Sequence, residues 1–249
     1  MIKKCFVLSG GGCRGFAHLG VVKALQEHNI YPSAISGTSA GAIAGAFIAN
    51  GFTPDEVMEM FYNKFKLNPF ALHGFRLGLI SIKTIRDFLQ KNLRVTRFEE
   101  LSMPFYVTAT NFIDGSQTVF TKGNIVDAVI ASSSIPVVFP ALLIDGVPYV
   151  DGGVSNNLPV EPFADNKTEV IAVYVDPTKP FNPKGSISET MDRAIHLSFR
   201  KTVNSSSAGC YMHIEPPELN KFGLFDIHKA TDIFNIGYSY ANEFISVKC

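Results

Sequence analysis

The sequence has no excess of charge of either sign. It contains 22 Lys and Arg residues against 22 Asp and Glu residues, and no basic block interrupts it. Proteins that bind nucleic acids need clustered positive charge to neutralise phosphates. The balance of charge therefore excludes that class of protein, and no nucleic-acid partner is expected.

Paired cysteines are also missing. The four cysteines lie far apart, without a CxxC motif or the Cys and His spacing of zinc ligands, at Cys5, Cys13, Cys210 and Cys249. This usage indicates free thiols in a reducing compartment rather than disulfides, and it predicts no metal site. A cytoplasmic protein is the expectation.

No hydrophobic run is long enough for a membrane span or a secretory signal. Five residues separate Lys4 from the first glycine, which is too few for the apolar region of a signal peptide. The longest stretch without a charged residue, 29–54, contains Pro32, and its apolar part, 40–49, has the length of a buried helix. The sequence thus predicts neither a signal peptide nor a transmembrane helix.

Apolar residues are abundant, at 46% of the sequence with 21 Phe. A chain of 249 residues with this composition buries a substantial core, so one large domain or a domain with an appendage is expected. Strand-like and helix-like segments alternate at short intervals, which predicts an α/β fold with a largely parallel sheet.

The predicted elements follow from apolar runs, capping residues and turn residues. A first strand is predicted at 4–8, a second strand is predicted to end at 34–36, and a further strand is predicted at 169–175. The segments 105–111 and 117–121 are predicted to form a hairpin. Helices are predicted at 16–28, 40–50, 53–66 after a capping box, and 81–92 with Ser81 as N-cap. The segment 177–188 carries Pro and Gly and is predicted to be a linker.

A glycine-rich loop follows the first predicted strand. Gly10, Gly12 and Gly15 satisfy the G-x-G-x-x-G pattern of dinucleotide sites, which also need an acidic residue at the end of the second strand. No Asp or Glu lies within 29–54, so a dinucleotide site is not expected. The alternative interpretation is that the bare N–H groups of the loop bind an oxyanion that forms during a reaction.

The second predicted strand ends in GTSAG at 37–41, which matches G-x-S-x-G. This pattern is typical of a strand-to-helix turn so tight that residues without a Cβ atom flank the serine and leave its hydroxyl open for attack. The glycine loop precedes it by one strand and one helix. Ser39 is therefore the candidate nucleophile, and Gly10, Gly11 and Gly12 are the candidate oxyanion donors.

A nucleophilic serine needs a base, and two arrangements remain open. In the order Ser, acid, His, the partners are Asp151 with His196 or His213. In the second arrangement a carboxylate takes the proton directly, and Asp151 is the best candidate because it follows an apolar run and precedes Gly152 and Gly153. An aspartate is a sufficient base when burial raises its pKa or a short hydrogen bond positions it.

Together these residues resemble the patatin-like phospholipase family. SGGGCRG at 9–15 is similar to the oxyanion loop of that family, GTSAG at 37–41 to its nucleophile elbow, and DGG at 151–153 to its catalytic aspartate motif. ASSSIPVVFPAL at 131–142 and VSNNLPV at 154–160 are also similar to family sequence. Order and spacing agree across residues 4–175. One departure is Ser9, where the family usually has Asp.

The resemblance implies a bacterial-type single domain over 1–249, with a three-layer α/β/α fold and a motif-bearing core at 4–175. No family motif is found after about residue 180, and a C-terminal extension of helices and strands at 180–249, packed on the core, is expected from composition alone. The resemblance also implies ester hydrolysis of phospholipids or lysophospholipids through an acyl-enzyme on Ser39, with Asp151 as base and no histidine, metal or cofactor. The other glycines of the motifs then shape these turns: Gly15, Gly37, Gly41, Gly152 and Gly153.

Residues and segments around the motifs keep more than one interpretation. Arg14 is either an anchor for a lipid phosphate or for the loop itself, or a member of a surface or helix-start ion pair. Cys13 is interpreted as a small tolerated residue and His18 as a packed or capping histidine. The segment 65–80 is either a lid or an ordinary covering of the core, and 222–244 is predicted to be a core helix rather than a membrane-docking one.

Three classes of function remain open. A lipid acyl hydrolase is favoured. An acyltransferase uses the same acyl-enzyme but passes the acyl group to an alcohol or thiol instead of water. A non-catalytic lipid-binding relative is disfavoured because Ser39, Asp151 and the glycine loop are intact. The expected interactions are a lipid substrate and transient peripheral contact with a membrane, and the oligomeric state is left open.

Overall fold

The structure, a computed structural model, describes residues 1–66, 81–178, 183 and 187–248. Its strands are β1 (Ile2–Leu8), β2 (Ile30–Thr38), β3 (Phe105–Asn111), β4 (Gln117–Phe120), β5 (Leu142–Ile144), β6 (Val147–Asp151), β7 (Val170–Val173) and β8 (Met212–Ile214). Its α-helices are α1 (Phe16–Glu27), α2 (Ala40–Ala49), α3 (Pro54–Lys66), α4 (Ile82–Asn92), α5 (Ile125–Ser132), α6 (Ile187–Ser207) and α7 (Ala230–Lys248).

These strands form one mixed sheet in the order β5-β6-β3-β2-β1-β7-β8, with β4 also paired to β3. The neighbours from β3 to β8 in that order are parallel, whereas β4 and β6 run antiparallel to β3, and β5 runs antiparallel to β6. The predicted α/β fold is confirmed, with a sheet that is mixed rather than purely parallel. The antiparallel strands come from two hairpins, one of which turns at Asp145 and Gly146, both with positive φ.

Both faces of the sheet are buried. Because side chains alternate along a strand, Phe6 and Leu8 of β1 join the larger core cluster, which α1, α2 and α5 cover. Val7 points to the other face and packs in a second cluster that includes Val203 of α6. Helices therefore cover both faces, as the three-layer prediction requires.

The predicted helix caps are present, and one predicted strand is longer than expected. The capping box of α3 is formed, since Glu56 accepts from the Thr53 N–H at 2.7 Å, and Ser81 accepts from the Thr84 N–H at 3.1 Å as the N-cap of α4. β2 continues to Thr38, beyond its predicted end. From residue 67 onward the candidate lid at 65–80 lies outside the described residues, as does most of the predicted linker.

The C-terminal helix α7 packs closely against α1. A Cβ atom on Gly20 would lie 2.1 Å from the Phe234 carbonyl oxygen, and one on Gly237 would lie 2.3 Å from that of Ala17. Ile233 and Ile245 of α7 are buried in the core, so the prediction of a core helix is confirmed. The helix begins at Ala230 rather than Phe222 and continues to Lys248. Within the described ranges, no helix combines the length and the apolarity that crossing a membrane requires.

Candidate active site

Ser39 lies on a turn between β2 and α2 that only small neighbours permit. Its φ of 53° falls in a region that residues with a side chain rarely adopt. A Cβ atom on Gly41 would lie 2.1 Å from the Leu8 carbonyl oxygen, and one on Gly37 would lie 2.7 Å from the carbonyl group of Gly41. The two motif glycines are therefore what allows α2 to begin directly after the serine.

The end of α5 holds the backbone of this turn. The N–H of Ser39 donates to Oγ of Ser132 at 2.8 Å, and the same hydroxyl donates to the Thr108 carbonyl at 2.6 Å. All three residues are buried. The unusual backbone of Ser39 is thus tied to β3 through one side chain.

Ser39 and Asp151 meet because two strands end against the same edge of β3. Thr38 of β2 pairs with Thr108, and Asp151 of β6 pairs with the next residue, Ala109. The register of β4 on β3 overlaps both pairings, so β4 occupies the other edge. β2 and β6 therefore approach each other end to end, and their last residues face one another.

Asp151 is a buried carboxylate with one open acceptor. Its Oδ1 accepts from the Gly153 N–H at 2.8 Å, whereas Oδ2 accepts no hydrogen bond from the described residues. Burial raises the pKa of Asp151 to about 6, and the neighbouring Ser39 hydroxyl and the Gly153 N–H each oppose that rise. Oδ2 is thus an open acceptor on a carboxylate that is ionised at neutral pH.

The glycine loop after β1 lies against Ser39. A Cβ atom on Gly10 would lie 3.3 Å from the Cβ of Ser39. The N–H of Gly10 donates to the Asn157 carbonyl at 3.2 Å, while those of Gly11 and Gly12 have no acceptor within the described ranges. The structure thus differs from the sequence prediction at Gly10, because only the other two predicted oxyanion donors have open N–H groups.

The far side of this loop contacts the chain that precedes α7. The N–H of Cys13 donates to the Leu224 carbonyl at 2.8 Å, and a Cβ atom on Gly12 would lie 2.4 Å from the same oxygen. Gly12 also has a positive φ of 57°. The loop conformation therefore depends on a segment without any recognisable motif.

Arg14 is buried beneath the loop, with 1% of its surface exposed. Its guanidinium forms an ion pair with Asp176, and its Nε donates to the Gly11 carbonyl at 3.2 Å. Burial excludes a surface ion pair, whereas the pair that Arg14, just before α1, forms with Asp176 agrees with the helix-start alternative. The contact with Gly11 also fits the role of an anchor for the loop.

Ser9 and His18 hold the start of the loop. The Ser9 hydroxyl accepts from the Val175 N–H at 3.0 Å and donates to the Gly10 carbonyl at 2.9 Å. Nε2 of His18 donates to the Ser9 carbonyl at 2.8 Å, and burial lowers the pKa of His18 to about 4. His18 is therefore neutral at pH 7 and packed, as predicted.

An apolar cavity of about 130 Å³ adjoins Ser39. Helices α1 to α4 supply most of its walls, and its aromatic residues are Phe16, Phe47, Phe61, Phe88, Phe139 and Phe225. The rings of Phe61 and Phe88 lie 4.4 Å apart between centroids. A cavity of this character suits an acyl chain better than a polar ligand.

Of the two histidines of the alternative triad, His213 does not join this arrangement. His213 lies on β8, three strands from β2, which corresponds to roughly 14 Å at the usual strand spacing. His196 belongs to α6, but its side chain is outside the described part. Cys13 does line the cavity, and burial raises the pKa of its thiol to about 12, so the thiol stays protonated.

The patterns in the sequence did not single out Ser132 or Asn157. Both lie in stretches that resemble family sequence, 131–142 and 154–160, and this resemblance is the sequence feature that could have pointed to them. Ser132 is one of three consecutive serines, and a contact to Ser39 across 93 residues leaves no local trace that distinguishes it from the other two.

Two known proteins named lysophospholipase are similar in sequence to this chain. The chain is 24% identical over 272 residues to Lysophospholipase NTE1 of Kluyveromyces lactis and 28% identical over 276 residues to Lysophospholipase nte1 of Aspergillus fumigatus. Both alignments cover 96% of this chain but only 19% and 18% of those proteins. The chain thus spans less than a fifth of the length of these relatives.

The fold is similar to that of a solved structure. The crystal structure of VipD from Legionella pneumophila superposes with a TM-score of 0.58 at 17% identity, over 98% of this chain and 67% of that one. At this identity the likeness concerns the fold alone. A family model described as Patatin-like phospholipase matches residues 6–164, which is well over half of the chain. The chain therefore belongs to the patatin-like phospholipase family.

Proposed function

We propose that the protein is a lipid acyl hydrolase that cleaves carboxylic ester bonds of phospholipids or lysophospholipids. The observation that carries the proposal is the proximity of Ser39 to the carboxyl group of Asp151, whose Oδ2 is open, beside an apolar cavity. Family membership and relatives named lysophospholipase support a lipid ester as the substrate.

Ser39 is the nucleophile and Asp151 the general base. The Ser39 hydroxyl attacks the ester carbonyl carbon while its proton moves to Oδ2 of Asp151. The N–H groups of Gly11 and Gly12, together with the N-terminal end of α2, stabilise the negative charge on the carbonyl oxygen.

The intermediate then collapses to an acyl-enzyme. The bond to the alcohol breaks, and the carboxyl group of Asp151 returns its proton to the departing oxygen. Water attacks the acyl group on Ser39, with Asp151 again as the base, and the fatty acid leaves. A pKa of about 6 suits both duties, because the group is ionised at pH 7 and still basic enough to accept a proton.

Transient peripheral contact with a membrane is part of the same proposal. The hairpins β3–β4 and β5–β6 extend beyond the C-terminal end of β2, where Ser39 lies. They carry exposed apolar side chains, among them Phe112 and Leu143. Val137 is fully exposed, and in the chain it lies between Ile135 and Phe139, which both line the cavity. Such a surface beside an acyl-chain cavity favours a lipid interface.

The test is incubation of wild type and Ser39→Ala protein with a mixed membrane-lipid extract, followed by mass spectrometry of free fatty acids and lysolipids. Release by the wild type alone supports the proposal and identifies the lipid class. An added alcohol reveals acyl transfer through an ester product. Absence of release together with absence of labelling by a fluorophosphonate would favour the non-catalytic alternative.

His213→Ala is the matched control for the dyad. Because His213 lies three strands from β2, we expect this variant to keep wild-type turnover. We expect the same of His196→Ala. Loss of turnover in either variant, in a folded protein, would contradict a mechanism without histidine.

A further inference from the structure

We propose that Ser133 is a substrate-binding residue whose hydroxyl donates a hydrogen bond to the leaving-group oxygen of the scissile ester. This proposal rests on the hydrolase function proposed above and adds a residue to the same site. Its basis is a buried hydroxyl without a partner that lines the cavity beside Ser39.

The Ser133 hydroxyl combines burial and the lack of a partner among the described residues with a place in the lining of the cavity. The residue is 4% exposed, and its Oγ has no hydrogen-bond partner within the described ranges. Buried hydroxyls in native proteins nearly always have one. A serine near the end of a helix can bond the carbonyl four residues back, as Ser134 does with Ile130 at 2.8 Å. Ser133 makes no such bond, so its hydroxyl remains available to a ligand in the cavity.

The two neighbours of Ser133 hold the two reacting residues. Oγ of Ser132 accepts from the Ser39 N–H at 2.8 Å, and the carbonyl of Ser134 accepts from the Asp151 N–H at 2.9 Å. Ser133 is therefore fixed between a contact to the nucleophile and a contact to the base. A hydroxyl held in this way is preorganised for an ester bound at Ser39.

The order of the strands indicates which ester oxygen Ser133 meets. The glycine loop follows β1, whereas Ser132, the neighbour of Ser133, is bonded to Thr108 of β3, and these two strands flank β2 on opposite sides. The carbonyl oxygen of the ester points toward the open N–H groups of the loop. The alkoxy oxygen lies on the side of Asp151, which returns the proton to it, and this is also the side of Ser133.

Cleavage of the ester bond needs no reactant beyond the groups already named. The bond between the carbonyl carbon and the alkoxy oxygen breaks, and its electron pair stays on the oxygen. Asp151 transfers its proton to that oxygen, while Ser133 donates a hydrogen bond and keeps its own proton. This hydrogen bond strengthens as negative charge develops on the oxygen, so it acts more on kcat than on KM.

A pair of esters tests the assignment. The probes are an oxoester and a thioester with the same acyl chain, whose leaving groups differ only in having oxygen or sulfur at the scissile bond, because sulfur is a weak acceptor. We expect Ser133→Ala to lower kcat/KM about tenfold for the oxoester, the effect of one hydrogen bond, and less than about twofold for the thioester. Ser133→Thr, which keeps the hydroxyl, is expected to retain most of the oxoester activity.

Ser36→Ala is the matched control. Ser36 is also a buried serine whose hydroxyl lacks a partner in the described part of the chain, but it does not line the cavity. We expect wild-type kcat/KM for both esters. Labelling of Ser39 by a fluorophosphonate expels fluoride instead of an alkoxide, so Ser133→Ala is expected to react at the wild-type rate.

The outcomes separate the role of Ser133 from the hydrolase function. An equal loss on oxoester and thioester, or slower labelling, would mean that Ser133 only supports the site and overturns the proposal. No loss on the oxoester overturns it as well. A wild-type protein that turns over neither ester contradicts the hydrolase function itself, and the role of Ser133 with it.

Discussion

The carbonyl oxygen of Asn157 accepts a hydrogen bond of 3.2 Å from the N–H of Gly10. This bond joins the segment after Asp151 to the loop that lies against Ser39, so the two parts of the site are held as one unit. The side chain of Asn157 also fills the space beside Gly10, where a Cβ atom would lie 2.4 Å from Oδ1. The position of the loop is therefore sensitive to the smallest addition at residue 10.

Gly10→Ala is expected to lower kcat/KM by about 10² or more, because the new methyl group displaces the loop and with it the N–H groups of Gly11 and Gly12. Initial rates with a soluble ester measure the loss, and circular dichroism checks the fold. Removing the obstacle in the double variant Gly10→Ala/Asn157→Ala should recover part of the rate. Unchanged rates in the single variant would show that this contact does not position the loop.

The pH profile of kcat/KM is expected to rise through a midpoint near 6 and to level off at higher pH. The base must be ionised in the free enzyme, and burial raises the pKa of Asp151 to about 6. The measurement needs an ester without ionisable groups. A midpoint near the ordinary value of 3.8 would contradict the raised pKa.

Asp151→Asn is expected to abolish turnover and yet to stabilise the protein at pH 8. The folded pKa of about 6 lies above the ordinary value of 3.8, so ionisation of the buried group lowers the free energy of unfolding as pH rises between these values. The interval corresponds to roughly 3 kcal/mol. Urea unfolding of both proteins at pH 8 should show this difference, and at pH 4 it should nearly vanish. Equal stability at pH 8 would contradict the cost of burial.

Arg14→Ala is expected to destabilise the protein by about 3–5 kcal/mol, because it leaves the Asp176 carboxylate buried without its cation. A double-mutant cycle with Asp176→Ala, followed by urea unfolding, measures the coupling. The double variant should lose much less than the sum of the two single variants. Additive losses would mean that the ion pair does not couple the loop to the segment after β7.

Phe112→Ser combined with Val137→Ser is expected to weaken binding to phosphatidylcholine vesicles, since both side chains are exposed on the proposed lipid-facing surface. Vesicle sedimentation measures the binding. Hydrolysis of a soluble short-chain ester should stay unchanged in the double variant and serves as the control. The same change at a distant exposed residue, Val247→Ser, should leave vesicle binding as in the wild type.

The turns of the site were predictable from the sequence, whereas the contacts that hold them were not. Gly37 is a local requirement, because a Cβ atom there would meet the backbone of Gly41, and a local requirement leaves a local pattern. Gly41 belongs to the same pattern, although the atom that excludes its Cβ is the Leu8 carbonyl oxygen on β1. The support from Ser132 and the bond from Gly10 to Asn157 join residues far apart in the chain. The meeting of β2 and β6 on one edge of β3 likewise depends on strand register, which short motifs do not encode.

The hydrogen bond from Cys13 to the Leu224 carbonyl shows that the site depends on the chain beyond the last motif. Every motif lies before residue 175, and a fragment cut there would contain the nucleophile, the base and all the loop glycines. It would lack the oxygen that receives the N–H of Cys13, together with α7, which seats against α1 through Gly20 and Gly237. Such a fragment is expected to carry a complete set of reacting groups on an oxyanion loop without its outer support. The shortest fragment that keeps the oxyanion loop supported is thus defined by a main-chain contact near residue 224, and not by the position of the last sequence motif.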